Sequence, residues 1–463
     1  MNLSKFKKSA SYAIILFSII TDAHPGFPHE IQSRDVKETG VTLPLKATYT
    51  PEGTILDVDI TVGGQNFSMY LDTGSSDIWV PRNTFQCLNA TDNSILPQEK
   101  CLFNKTYNIS STFQQVPDQN FGVRYGSGIA TGVLGVEIVT FGGLTVENQT
   151  IGVVDKTTDV GDGNDSGVLG LAYPYLTSAH PGTNYSNDSV SLWSNRIPYN
   201  PLFTNLYQQG LVKPFFSIAV NRTPVNVSNG DGGFLSLGTL PPVPHKPTWA
   251  IAPVEIIKVI PPFFTNNETA KTYWALSVKS TSVNSVSNKT SFQALVDCGN
   301  FFNFVPADVA LAVNNAFQPP ATRSESFLET GMYDVPCNAI APTFGLTFSN
   351  NVTIYNDPRD TLVENADGTC NSAFLDADIL GEASGITLHI LGKPFFQSVV
   401  SVFDFGKDEM RFAERIEITG GGNVSSTPGG VEPTAPLIAN GGSRLVLTLL
   451  PLVLVAFISV FLI

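Results

Sequence analysis

The sequence predicts an all-β protein made of two homologous lobes with a cleft between them, on three observations. Charged residues are only 14% of the 463, apolar residues are 42%, and Gly (39), Pro (31) and Phe (31) are abundant. An average soluble domain carries about 25% charged residues, and scarcity of Lys and Glu with plentiful turn formers favours strands over helices. Short β-type runs alternate with Gly, Asn and Asp punctuation along the body of the chain, the pattern of an all-β domain. An Asp-centred segment in the first half is echoed in the second, as two homologous lobes require.

Taken in order, Lys5, Lys7 and Lys8 precede an apolar stretch from Tyr12 to Ile20, and Thr21-Asp22-Ala23 offers a small-residue cleavage site. Residues 1–23 therefore read as a signal peptide, too short to span a bilayer. Residues 24–46 are polar and contain Pro, and read as a short pro-segment or a disordered start. The first lobe, 47–243, carries the runs Ile55–Val62, Phe67–Leu71, Ile129–Thr140, Thr150–Val154, Phe215–Val220 and Phe234–Leu237, with one helical signal at Leu202–Gln209 before Gly210. The second lobe, 244–417, has a helical signal at Asp308–Phe317 after Pro306, where Pro suits a helix start. Residues 418–444 are rich in Gly, Ser, Thr and Pro and read as a linker.

Residues 445–463 are apolar and uncharged. A hydrophobic tail with no polar flank has the form of a glycolipid (GPI) anchor signal, for which Asn440-Gly441-Gly442 supply small attachment residues. A true C-terminal membrane anchor is the alternative. The anchor signal places a secreted protein at the outer cell surface or in the cell wall. Asn-x-Ser/Thr sequons recur along the body, among them Asn66, Asn89, Asn104, Asn148, Asn221, Asn267 and Asn351, which predicts a glycosylated exterior. Five cysteines in an oxidising compartment leave one unpaired. Cys87 with Cys101 closes a short loop and Cys337 with Cys370 a longer one, leaving Cys298 free. The formal charge of −14, from 40 acidic against 26 basic residues, excludes nucleic acid as partner, since phosphate binding needs clustered Lys and Arg.

The echo is specific. Met69-Tyr70-Leu71-Asp72-Thr73-Gly74 leads to Val80-Pro81, and Ala294-Leu295-Val296-Asp297-Cys298-Gly299 leads at the same distance to Val305-Pro306. Val168-Leu169-Gly170 follows the first Asp, and Ile390-Leu391-Gly392 the second, at nearly the same interval. An Asp followed by x-Gly at a strand end sits on a turn whose backbone allows close approach of another chain. Two such turns bring two carboxylates together, where they share one proton: one serves as general base toward water while the other donates a proton to a carbonyl. No metal, cofactor or covalent intermediate is called for.

The run Leu71-Asp72-Thr73-Gly74-Ser75-Ser76-Asp77-Ile78-Trp79-Val80-Pro81 resembles the first active-site segment of pepsin-like aspartic peptidases. Tyr125-Gly126-Ser127-Gly128 resembles their flap. Asp165-Ser166-Gly167-Val168-Leu169-Gly170-Leu171-Ala172, and Ile390 to Phe396 with Val402 to Phe405, resemble the segments beneath the two aspartates. With its C-terminal tail the chain is most similar to the glycolipid-anchored fungal members. The resemblance implies a bilobal fold of two β-barrel-like lobes and a monomeric endopeptidase acting on protein or peptide substrates at acidic pH. It implies Asp72 and Asp297 as the dyad and Tyr125 as the flap residue, its hydroxyl bonded by Trp79. Ser75 would bond the outer oxygen of Asp72, and Gly74 and Gly299 would offer backbone N–H groups to the carboxylates. Gly126 and Ser127 would complete the flap over the substrate.

The second motif departs from the family, which has Thr or Ser at both positions where this chain has Cys298 and Asn300. A thiol is a weak donor for the hydroxyl interlock between the turns, while Asn300 is expected to donate an amide hydrogen bond to Asp297. This departure keeps a second reading open, a catalytically impaired relative that binds peptides at the cell surface. Cys298 reads either as a buried inert thiol or as a redox sensor, and the acidic neighbours favour the inert thiol. His180 and the stretch Ser178–Ser194 read as a surface loop, Phe301-Phe302-Asn303-Phe304 as lobe core, and His389 as a strand residue.

Overall fold

The computed structural model describes residues 40–50, 53–125, 128–158, 160–183, 194–324, 331–380 and 386–416. The expected signal peptide, linker and apolar tail, and the flap residues Gly126 and Ser127, lie outside the described residues. No helix among the described residues is long and apolar enough to cross a membrane.

Strands β1 (Val41–Thr50), β2 (Gly53–Val62) and β3 (Gln65–Asp72) form a meander. Gly63 and Gly64 make the two-residue turn between β2 and β3 with φ of 55° and 74°, the left-handed values that such a hairpin turn demands and that glycine adopts without strain. Along β3, Phe67, Met69 and Leu71 point into the core, which leaves Tyr70 half-buried on the opposite face. That alternation is the period of two expected of a strand, and it puts Tyr70 on the same face as Asp72. β1 begins at Val41, inside the stretch read as a pro-segment or disordered start, because it pairs with a partner far along the chain, Gly230–Leu237.

The first half continues with β4 (Ile78–Leu88), β5 (Gln114–Tyr125), β6 (Gly128–Phe141), β7 (Leu144–Thr157), β8 (Val168–Gly170), β9 (Ala179–Pro181), helix α1 (Leu202–Gln208), β10 (Phe215–Val220) and β11 (Gly230–Leu237). The second half contributes β12 (Ala275–Val278), β13 (Phe292–Val296), β14 (Asn303–Val305), α2 (Ala307–Ala316), β15 (Phe374–Asp376), β16 (His389–Leu391), α3 (Lys393–Ser398), β17 (Val399–Asp404) and β18 (Glu409–Glu414).

The echo in the sequence is an echo in structure. β3 runs parallel to β8, with Leu71 opposite Leu169 and Asp72 opposite Gly170. β13 runs parallel to β16, with Leu295 opposite Ile390 and Val296 opposite Leu391. In each half the strand after the aspartate turn returns antiparallel to the third strand, Ile78 opposite Leu169 and Phe304 opposite Ile390. The apolar-apolar-Gly segments are therefore the strands that prop up the two aspartates.

Among the described residues, one 15-stranded sheet runs from β9 through the first half to β1, β11 and β10, then on to β17, β18 and Ala250–Pro253. The last strands, by sequence part of the second lobe, thus extend the sheet of the first. Fully buried Trp274 gathers rings from both halves, with Tyr173 at 4.8 Å, Phe405 at 4.7 Å, Phe403 at 5.1 Å and Phe216 at 5.8 Å between centroids. Burying each such side chain contributes about 1.5–3 kcal/mol, so this cluster is a principal tie between the halves. Two disulfides, Cys87–Cys101 and Cys337–Cys370, join the expected pairs, and Cys298 is a buried free thiol.

Candidate active site

Asp72 ends β3 and Asp297 follows β13, and the turns after them press against each other. A Cβ placed on Gly74 would lie 2.7 Å from Asp297 Cγ, and one on Gly299 would lie 2.6 Å from Asp72 Oδ1. Glycine is required at both turns because a carboxylate from the other half occupies the space of a side chain. Both aspartates are buried, Asp72 at 1% exposure and Asp297 at 0%.

Their surroundings differ. Asp72 Oδ1 accepts from Gly74 N–H at 2.8 Å and Oδ2 from the Ser75 hydroxyl at 2.5 Å. Asp297 Oδ1 accepts from Gly299 N–H at 2.9 Å, while its Oδ2 has no donor among the described protein groups. Burial raises the pKa of both, but the two donors hold Asp72 down whereas burial and then the charge of Asp72 drive Asp297 well above the usual carboxylate range. Asp297, with fewer donors to its carboxyl, holds a proton more readily than Asp72.

The expected bond from Asn300 to Asp297 is not made. The Asn300 carbonyl is turned to Phe302 N–H at 3.4 Å, and its amide nitrogen has no acceptor among the described groups. The amide is a longer group than the hydroxyl of Ser75, and its engagement with the local backbone turns it away from the carboxylate.

The interlock between the turns survives the cysteine. The Thr73 hydroxyl donates to Val296 O at 3.0 Å and accepts from Cys298 N–H at 2.9 Å. From the other side the Cys298 thiol donates to Leu71 O at 3.5 Å. Burial, followed by the charges of Asp297 and Asp72, pushes the Cys298 thiol far above its ordinary pKa, so it stays protonated and inert.

Over the dyad side of the first half, Tyr125 is buried at the end of β5 and its hydroxyl accepts from Trp79 Nε1 at 2.8 Å. Phe301 and Phe304 are buried as core, Phe302 packs against that core, and His389 sits in its strand with Nδ1 facing Gln293 O at 3.1 Å.

Several residues near the site had no signal in the motifs. Tyr70 reaches across the boundary between the halves and its hydroxyl donates to the carbonyl of Gly299. Of the segment read as a surface loop, Pro181, Gly182 and Thr183 are exposed as expected, whereas Ser178, Ala179 and His180 are buried. His180 is 6% exposed and pairs with β5, its Nε2 at 2.9 Å from Gly122 O and Nδ1 at 3.2 Å from Ser194 O. Arg196 is 2% exposed and donates to Leu176 O at 3.0 Å and Thr177 O at 3.2 Å. Asp77 accepts from Tyr199 at 2.5 Å and from Ser178 N–H at 2.8 Å. The polar composition around His180 and Arg196 concealed their burial, since backbone carbonyls inside the fold accept from or face them. Lys393 at the start of α3 is buried, with Nζ 4.6 Å over the Phe301 ring, and burial lowers its pKa to about 7.

Comparison with known proteins shows the family and the fold. The family model described as eukaryotic aspartyl protease matches residues 55–415. A probable aspartic-type endopeptidase of Aspergillus fumigatus is 37% identical over 372 residues, covering 78% of this chain and 79% of that protein. Cathepsin E of Aquarana catesbeiana is 29% identical over 363 residues, covering 77% and 78%. In fold, the chain is similar to the crystal structure of an aspartic proteinase from Irpex lacteus, with a TM-score of 0.58 at 20% identity, covering 81% of this chain and 98% of that one.

Proposed function

The chain belongs to the eukaryotic aspartyl protease family, and on that premise we propose that Asp72 and Asp297 are the catalytic pair of an endopeptidase that cleaves extended protein substrates at acidic pH. The observation that carries the reading is the reciprocal approach of the two turns, each glycine facing the opposite aspartate. Asp72, its carboxylate accepting from Gly74 and Ser75, takes a proton from water as the water oxygen attacks the scissile carbonyl carbon. Asp297 gives its proton to the carbonyl oxygen, forming a neutral gem-diol. Collapse of that species breaks the C–N bond, the departing nitrogen is protonated, and the carboxyl pair returns to its singly protonated state. Gly74 and Gly299 hold the carboxyls through backbone N–H groups, and Tyr125 with Trp79 closes the substrate in from above the first lobe.

The reaction needs one proton on the pair. It fails in strong acid, when Asp72 is also protonated, and fails again above the raised pKa of Asp297. The impaired alternative draws on Cys298 and Asn300, yet Thr73 and the thiol still tie the two turns together. Secretion, glycosylation and a glycolipid anchor at the cell surface are supported by the sequence alone: the leader at 1–23, the sequons, and the tail at 445–463; a monomeric state is what the family resemblance implies.

The test is casein cleavage by the mature protein between pH 3 and 7, with and without pepstatin. Cleavage confined to acid and blocked by pepstatin supports the reading. A folded protein that binds pepstatin but does not cleave supports the peptide-binding relative. Release of the protein from intact cells by a phosphatidylinositol-specific phospholipase checks the anchor.

A further inference from the structure

We infer that Tyr70 is a specificity-determining residue of this cleft, restricting one of the subsites that flank the scissile bond to small side chains and holding the Gly299 carbonyl until substrate displaces it. The inference rests on the reading of the cleft as a peptidase site. Tyr70 lies two residues before Asp72 on the same face of β3, half-buried. Its ring packs against the apolar cluster that includes Trp79, Tyr125 and Val168, so it stands on the wall that the flap residue covers. Its hydroxyl donates to Gly299 O, in the turn whose N–H holds Asp297.

Two consequences follow from chemistry alone. An extended peptide crossing the dyad is recognised by main-chain hydrogen bonds, with side chains dropping alternately into pockets. A carbonyl in the Asp297 turn is an acceptor within reach of such a main chain, and here an internal hydroxyl already occupies it. A phenol ring beside Asp72 also takes the volume that a large substrate side chain next to the scissile bond would fill on the first-lobe side. Pocket volume discriminates side chains by about 10- to 200-fold per missing or added group.

The test measures binding of three uncleavable peptides with a hydroxyethylene group in place of the scissile amide: Ala on both sides, Phe before it, or Phe after it. Wild type is expected to disfavour Phe on one side, and Tyr70→Val to shift the Phe-to-Ala affinity ratio on that same side by about tenfold. Tyr70→Phe is expected to leave that ratio unchanged and to bind all three about threefold more tightly, because Gly299 O is free. Circular dichroism confirms that each variant is folded. Identical ratios in wild type and Tyr70→Val overturn the inference. Casein cleavage assayed alongside reports separately on the peptidase reading, because peptide binding without cleavage removes that reading and leaves the subsite assignment standing.

Discussion

Thr73 and Cys298 face each other across the boundary between the two halves and are bonded unequally. Thr73 makes two hydrogen bonds of 2.9 and 3.0 Å through its hydroxyl, whereas the Cys298 side chain makes one long contact of 3.5 Å. Most of the interlock therefore passes through Thr73. Thr73→Val, which keeps the shape and removes the hydroxyl, is expected to destabilise the protein by about 2–3 kcal/mol, because the buried Cys298 N–H and Val296 O both lose their partner. Cys298→Ser, which exchanges a weak donor for a strong one, is expected to change stability by less than about 1 kcal/mol and to retain activity. Urea unfolding at pH 4 measures both. Equal losses for the two variants would contradict the asymmetry.

Replacing either carboxyl removes one proton carrier. Asp72→Asn and Asp297→Asn are each expected to lower kcat by about 10²- to 10⁴-fold. Their stabilities should diverge, because Asp297 is the more strongly raised group. A buried carboxyl with a raised pKa costs stability once the solution pH ionises it, so Asp297→Asn should melt higher than wild type near neutral pH and close to it at pH 3. Calorimetry at the two pH values decides this.

Stability should fall from acid toward neutral pH for a second reason. Asp57 is fully buried with no donor to either oxygen among the described groups, and burial, then the charge of Asp162, drives its pKa well above the usual range. Burial, then Asp162 and Asp57, does the same to Asp165. Because these folded-state pKa values exceed the unfolded ones, the stabilisation is complete below about pH 3.9. It is lost as pH rises through the folded values, at up to about 1.4 kcal/mol per pH unit for each group. Asp57→Asn is expected to flatten the loss between pH 4 and 7 and to be more stable than wild type at pH 7. A variant with an unchanged pH slope would show that Asp57 does not ionise in that range.

Trp79 fixes the hydroxyl of Tyr125 through a 2.8 Å bond. Trp79→Phe retains an aromatic ring in the buried cluster and removes the donor. The expected result is a fall in kcat/KM of about 3- to 10-fold, carried mainly by KM, with folding intact. Steady-state kinetics on a peptide substrate separates the two constants.

What the sequence made legible was whatever repeats or is local. The two Asp-x-Gly turns, the apolar strands supporting them, the helices at 202 and 307 and both disulfide pairs follow from spacing and composition. What it concealed depends on contacts between distant residues or on side-chain direction. Tyr70 and Gly299 meet only after the halves assemble. Asn300 has the chemistry to reach Asp297 but turns to the Phe302 backbone. β1 starts early because its partner strand lies nearly two hundred residues away, at Gly230–Leu237. His180 and Arg196 are polar by sequence and buried in structure because backbone carbonyls from neighbouring segments satisfy them. Period and composition report burial only when a residue's own neighbours provide it.

The pairing of β10 with β17, Phe216 opposite Phe403 and Ile218 opposite Ser401, also sets an order of events during synthesis. A nascent chain that has completed β10 and β11 holds one free row of backbone donors and acceptors on β10 until the residues from Val399 onward emerge to cover it. Closing the sheet over that sequence interval is slow, as for any fold dominated by distant pairings, and meanwhile the open edge is a template for other chains. Shortening the chain ahead of Val399 would therefore not liberate a self-sufficient first lobe. It would yield an aggregating fragment, because only the final strands turn the first half into a finished molecule.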